Sequence, residues 1–312
     1  MRCIGLFAVA ASCLVLGPVA AAGPQRGTLR EHTLVHDGLT RSYLLYTPGN
    51  AGALKGKRPL VFVLHGGGGT HRLLVRSTKS KFHELADRDG FYVVYPNAVN
   101  KMWDFGEGEV SEALARRVDD LGFFKALLAA LLDRHPIDAR RVYATGISRG
   151  GQASYFLACK TRSFRAIAPM AMPLPAFLRD DCIHGPPVGV AVLNGTQDPL
   201  VPYQGGEIEA FGQKRGKVLS TDETVRLWRE RNGCAGKPSE QWNLDKVLDG
   251  TSVEKSSWST GCPEAPVVLY RIEGGGHTWP SGTQYLPVLV VGRVSREIDG
   301  AVEAWSFFRG LD

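Results

Sequence analysis

Short, wholly apolar segments alternate with amphipathic ones along most of the chain, and this alternation restricts the fold more than any other feature. Residues 60–64 (LVFVL) and 91–95 (FYVVY) are apolar at every position, so neither reads as a strand with one face in water. Residues 140–146, 165–171, 188–196 and 266–274 supply further strands. Helical patterns fall between them at 80–90, 118–135, 149–160 and 220–233, and a last one closes the chain at 299–310. Acids sit in the first turn of the 118–135 segment, where the helix dipole favours them. Only the N-terminal residues, about 30–46, read as a hairpin, turning at His36-Asp37-Gly38. Buried strands joined through helices run parallel and need cover on both sides. The pattern therefore predicts an α/β fold, a mostly parallel sheet with helices on both faces. In such sheets, ligands bind beyond the carboxyl ends of the strands.

The chain has 312 residues, 44% of them apolar and 22% charged, enough for one large core. Its first residues carry one charge, Arg2, then an apolar stretch that ends in Ala20, Ala21 and Ala22. That is the pattern of a secretory signal peptide, so residues 1–22 are read as a leader and 23–312 as one catalytic domain. Export, to a periplasm or out of the cell, would place the remaining cysteines in an oxidising compartment. Cys3 and Cys13 would leave with the leader. Cys159, Cys182, Cys234 and Cys262 allow three pairings, of which Cys159 with Cys182 and Cys234 with Cys262 close the most local loops. Closure of the second loop would contribute roughly 3–4 kcal/mol. No C-x-x-C pair or zinc-type spacing is present. The net charge of +6 is dispersed in short basic groups separated by acidic ones. This disfavours a nucleic-acid partner, and no later apolar run is long enough to cross a membrane.

Ser148 stands in Gly146-Ile147-Ser148-Arg149-Gly150, between an apolar strand and a helix. Glycines two positions either side are what a nucleophile elbow needs, because the chain doubles back there with no room for side chains. His65-Gly66-Gly67-Gly68-Gly69 follows the first buried strand. Glycines there let backbone N–H groups reach a tetrahedral oxyanion, so Gly67 and Gly68, with the amide of Arg149, are the candidate donors. The stretch lacks the Gly-Lys-Ser/Thr of a phosphate loop. His65 reads as a packed residue that shapes the loop. His277, behind three glycines and past a strand, is the candidate base, and Asp198, after another strand, is the candidate acid. Alone, Asp198-Pro199 would read as a simple turn. The order Ser148, Asp198, His277, each on a loop after a strand, is the chain order of the α/β-hydrolases. Trp103 and Trp279 are candidate walls of an acyl pocket.

The segments LHGGGGT, VDDLGF, YATGISRGG, NGTQDPLVPY, GGGHTWP and SREIDGAVEAWSFF together resemble the secreted polyhydroxybutyrate-depolymerase-type esterases, a family that includes feruloyl and acetylxylan esterases. The likeness runs from about residue 30 to the C-terminus. It implies an α/β-hydrolase fold, Ser148 as nucleophile with Asp198 and His277 completing the triad, and the glycine loop as oxyanion hole. It also implies a Cys234–Cys262 disulfide. The expected activity is a secreted serine carboxylester hydrolase that forms an acyl-enzyme and needs no metal or organic cofactor. Family members that attack solid polyester append a linker and a polymer-binding domain. No such segment is read here, so the expected partners are small or oligomeric esters, either feruloyl or acetyl saccharides or hydroxyalkanoate oligomers. Polyhydroxybutyrate depolymerase proper is the alternative, and a non-catalytic binding protein on the same scaffold is the reading from another class.

Overall fold

The computed structural model describes residues 26–49, 51–52, 55–106, 114 and 116–311. The leader read at residues 1–22, with Cys3 and Cys13, lies outside the described residues.

Among the described residues, twelve strands and eight α-helices follow in chain order. An N-terminal hairpin, β1 (Thr28–His36) and β2 (Leu39–Thr47), leads into β3 (Arg58–Leu64), α1 (His71–Ser77), α2 (Lys81–Asp89) and β4 (Tyr92–Pro96). Then come α3 (Asp120–Arg134), β5 (Ile137–Ile147), α4 (Arg149–Lys160), β6 (Ala166–Met170), α5 (Arg179–Ile183) and β7 (Gly189–Gly195). A second hairpin, β8 (Gly206–Ala210) and β9 (Gln213–Val218), precedes α6 (Thr221–Asn232). The chain ends with β10 (Glu240–Leu244), β11 (Ser252–Trp258), β12 (Val267–Glu273), α7 (Val288–Val291) and α8 (Gly300–Arg309).

Ten of these strands form one sheet in the order β1-β2-β4-β3-β5-β6-β7-β12-β11-β10. From β4 through β12 every neighbouring pair is parallel, and the two pairs at each flank are antiparallel. The wholly apolar strands are explained by two cores, one on each face. Leu60, Phe62 and Leu64 of β3 pack with Phe123 and Phe124 of α3, Tyr155 of α4 and Trp228 of α6. Val61 and Val63 point the other way, into a core shared with Phe82 of α2 and Trp305 and Phe308 of α8. Successive strand residues face opposite sides, so a strand serving two cores can carry no polar face.

Local signals explain where helices begin and end. Ser220 and Glu223 form a reciprocal capping box on α6, and Gly233 closes it in the left-handed region at φ 74°. Asp299 caps α8 through Ala301 and Val302. Several parts of the chain differ from the sequence reading. α1 and the β8–β9 hairpin were not anticipated, and the polar stretch between Cys234 and Cys262 contains β10 and β11. β10 is the sheet's edge strand and largely exposed, and β11 beside it buries only Val253, Ser256 and Trp258, which is why neither shows an apolar run.

Both local disulfides are present, Cys159–Cys182 and Cys234–Cys262, with Cα atoms 4.8 and 5.0 Å apart. The first ties the end of α4 to α5. Among the described residues, no helix is long and apolar enough to cross a membrane.

Candidate active site

Ser148 lies at the carboxyl end of β5 and opens α4 with φ 57° and ψ −122°, a left-handed conformation that is strained for a residue with a side chain. Its amide is held by the Met170 carbonyl of β6 at 2.9 Å. The flanking glycines have a steric cause. A Cβ on Gly146 would sit 2.6 Å from the backbone of Gly150 and from the Leu64 oxygen, and one on Gly150 would sit 2.0 Å from that same oxygen. β3, the turn and α4 thus meet backbone to backbone, which pushes the serine out at the carboxyl end of the sheet.

Asp198 and His277 come from the ends of β7 and β12, which are paired in the sheet. The Nδ1 of His277 lies 2.7 Å from Oδ2 of Asp198, and the two side chains are 5% and 3% exposed. The other oxygen, Oδ1, accepts the N–H groups of Leu200 and Val201, both at 2.8 Å. The carboxylate therefore makes the turn expected of Asp-Pro and orients the imidazole at once. The His277 loop is clamped in turn. Its N–H donates to the Val291 carbonyl at 2.6 Å, and its own carbonyl accepts the Tyr285 hydroxyl at 2.9 Å. The glycines before it permit this, since a Cβ on Gly276 would lie 2.2 Å from the Val291 oxygen.

Ser148 and His277 open into one cavity of about 570 Å³, a volume that suits a small ester. His65 and Gly66–Gly69 form one side, and Leu200, Val201, Ile208, Phe211 and Leu73 supply much of the apolar wall. Phe211 and Leu73 are 66% and 50% exposed, so the mouth has an apolar rim.

The expected site residues separate into several groups. The structure brings Ser148, Asp198 and His277 together at one end of the sheet. Within the glycine loop, the Gly68 amide is committed to the Lys101 carbonyl at 2.9 Å and that of Gly69 to Gly66 at 3.0 Å. Gly68 is therefore not a free oxyanion donor, and Gly67 and Arg149 are the two that carry forward. His65 is 1% exposed and its tautomer is determined by its partners. Its Nε2 accepts the Ala98 N–H at 3.1 Å, so Nδ1 carries the proton and donates to the Gly66 carbonyl at 2.8 Å. Burial lowers its pKa to about 4, which keeps it neutral. His65 thus buttresses the loop.

Trp103 is a correction. It is fully buried in the core, with its ring against Phe124 and its Nε1–H on the His65 carbonyl at 2.9 Å, and it does not reach the cavity. Its contribution is to brace the glycine loop from below. Trp279 does line the cavity, packed edge-on against Phe82.

Sequence reasoning missed the cavity's outer parts: α1, the β8–β9 hairpin, and residues 283–286. The hairpin did leave a trace, because Ile208 and Ala210 alternate toward the inside before a Phe211-Gly212 turn with φ 54° and 76°.

The family model described as Esterase PHB depolymerase matches residues 41–172. The putative esterase NocK of Nocardia uniformis subsp. tsuyamanensis is 31% identical over 300 residues, covering 94% of this chain and 85% of that protein. A probable feruloyl esterase C of Aspergillus flavus is 30% identical over 80% of each chain. Among solved structures, an acetyl xylan esterase from Aspergillus awamori superposes with a TM-score of 0.59 over 91% of this chain and all of that one. At 15% identity this likeness speaks for the fold alone, which is that of an α/β-hydrolase.

Proposed function

This chain belongs to the esterase PHB depolymerase family and is a carboxylic ester hydrolase, and from that premise we propose that Ser148, His277 and Asp198 are its catalytic triad. His277 takes the Ser148 proton as the hydroxyl attacks the ester carbonyl, and returns it to the departing alcohol. Asp198 holds the imidazole with Nδ1 protonated and Nε2 toward the cavity, and stabilises its charged form. The amides of Gly67 and Arg149 receive the oxyanion, and water then hydrolyses the acyl-enzyme through the same base. The observation that carries this reading is the buried 2.7 Å pair of His277 and Asp198 beside a strained serine that opens into the same cavity.

The substrates are esters of modest size, feruloyl or acetyl groups on saccharides or short hydroxyalkanoate oligomers. The apolar wall and rim suit an aromatic or aliphatic acyl group, and relatives named feruloyl esterases support the first class. Export is part of the proposal, supported by two disulfides. The test is hydrolysis of methyl ferulate, an acetylated xylo-oligosaccharide, a p-nitrophenyl ester and a hydroxybutyrate oligomer by the protein and by Ser148→Ala. Cleavage that the variant loses, with fluorophosphonate labelling lost alongside, bears out the triad. An unaffected variant refutes it.

A further inference from the structure

Three arginines line the cavity that holds Ser148 and His277, and among the described residues no aspartate or glutamate lines it. They come from three separate elements: Arg149 from the start of α4, Arg215 from β9 and Arg76 from the last turn of α1. Their grouping is therefore made by the fold and not by a basic run of sequence. Asp198, the nearest acid in the mechanism, is turned away behind the imidazole.

The hydrogen-bond partners of the Arg149 and Arg215 guanidinium groups are neutral. Arg149 donates from Nε to the Trp103 carbonyl at 2.9 Å and lies over the Phe105 ring, 4.9 Å from its centroid. Arg215 donates from Nη2 to Oε1 of Gln213 at 2.9 Å, while its buried Nε has no hydrogen-bond partner. Burial, and after it repulsion from Arg215, lowers the pKa of Arg149 to about 10, with Asp104 and Asp120 behind it offsetting part of the effect, so the two cations act on each other. Like charges gathered against an apolar wall are unfavourable until a counter-charge joins them. A carboxylate matches a guanidinium fork, and would satisfy the unpartnered Nε of Arg215.

We propose that this arginine group selects esters that carry a free carboxylate near the scissile bond. The inference rests on the reading of the cavity as the ester-cleaving site. Both proposed substrate classes offer such a group: the acid end of a hydroxyalkanoate oligomer, or a uronic acid on an acylated saccharide. Arg215 and Arg76 are the specificity residues, because Arg149 is already anchored to Trp103.

The experiment compares matched pairs on the wild-type protein and on Arg215→Gln, Arg76→Gln and Arg140→Gln, the last a 90% exposed arginine outside the cavity. One pair is a hydroxybutyrate trimer as free acid and as terminal amide. The other is an acetylated xylo-oligosaccharide with and without a glucuronic acid branch. Wild type should favour the acid by roughly ten- to a hundredfold in kcat/KM, mainly through KM, with the ratio shrinking as salt is raised. Arg215→Gln or Arg76→Gln should bring the ratio toward one, and Arg140→Gln should leave it unchanged. Preference within the trimer pair alone names the oligomer as the source, and within the saccharide pair alone the uronate. Equal rates on acid and neutral esters in wild type, or a ratio that survives both cavity substitutions, overturn the inference while leaving the triad standing. A folded wild type that cleaves neither pair nor the simple p-nitrophenyl ester overturns both.

Discussion

His277 and Asp198, 79 residues apart in the chain, meet through a 2.7 Å hydrogen bond with both side chains nearly withdrawn from water. Asp198→Asn keeps an oxygen for the Leu200 and Val201 amides but presents an N–H₂ to His277, which forces the imidazole into the opposite tautomer. We expect kcat to fall about 10⁴-fold with little change in KM. Steady-state kinetics on a p-nitrophenyl ester check this, and a change confined to KM would contradict it.

Backbone crowding at the elbow gives a graded expectation. Gly150→Ala drives a methyl group to 2.0 Å from the Leu64 carbonyl oxygen, whereas Gly151→Ala meets the Met172 Cβ at 2.9 Å and the Met170 and Gly146 carbonyl oxygens at 3.2 and 3.3 Å. The first should cost about 3 kcal/mol or more and the second about 1–2 kcal/mol, because a 2.9 Å contact is relieved by a small shift whereas a 2.0 Å one requires a strand to move by about an ångström or more. Urea unfolding of the two variants distinguishes them, and equal midpoints would count against this account.

The Cys159–Cys182 bond ties the far end of the nucleophile helix to α5 across 23 positions of sequence. Replacing both cysteines with alanine should remove about 3 kcal/mol of stability by freeing the unfolded chain. Ser148 sits at the opposite end of α4, so turnover at 25 °C should persist while the melting temperature falls. Calorimetry and an esterase assay on the same preparation test the two halves.

His65 makes stability depend on pH. Its folded pKa of about 4 lies below the ordinary value of 6.5, so the unfolded chain takes up the proton first as pH drops. The stabilisation is complete above about pH 6.5 and declines toward pH 4, by roughly 3 kcal/mol. His83, also lowered to about 4 by burial, adds its own share, so the informative quantity is a difference. Denaturation of wild type and His65→Asn between pH 7 and 4 should show a shallower dependence in the variant. Parallel curves would assign the effect elsewhere.

Much of the architecture was legible before any coordinates, for local reasons. A strand apolar at every position must serve two cores, and β3 does so with Leu60, Phe62 and Leu64 on one side and Val61 and Val63 on the other. Gly146 and Gly150 announced the elbow because close backbone approach excludes any other residue. β10, largely in water at the sheet's edge, and β11, with only Val253, Ser256 and Trp258 buried, lack an apolar run, and α1 is too short for a helical period to show.

From its sequence alone the chain determined the alternation of strand and helix, the turn that exposes Ser148, and the order in which serine, acid and histidine arrive. These are short-range matters, settled by steric limits and side-chain periodicity within a few residues. Only the tertiary structure decided that Trp103 braces the core while Trp279 faces the cavity, that the Gly68 amide is already engaged, and that Arg76, Arg149 and Arg215 converge on one opening. Those outcomes depend on contacts between elements far apart in the chain. Sheet order and packing create such contacts, and the local sequence carries no trace of them.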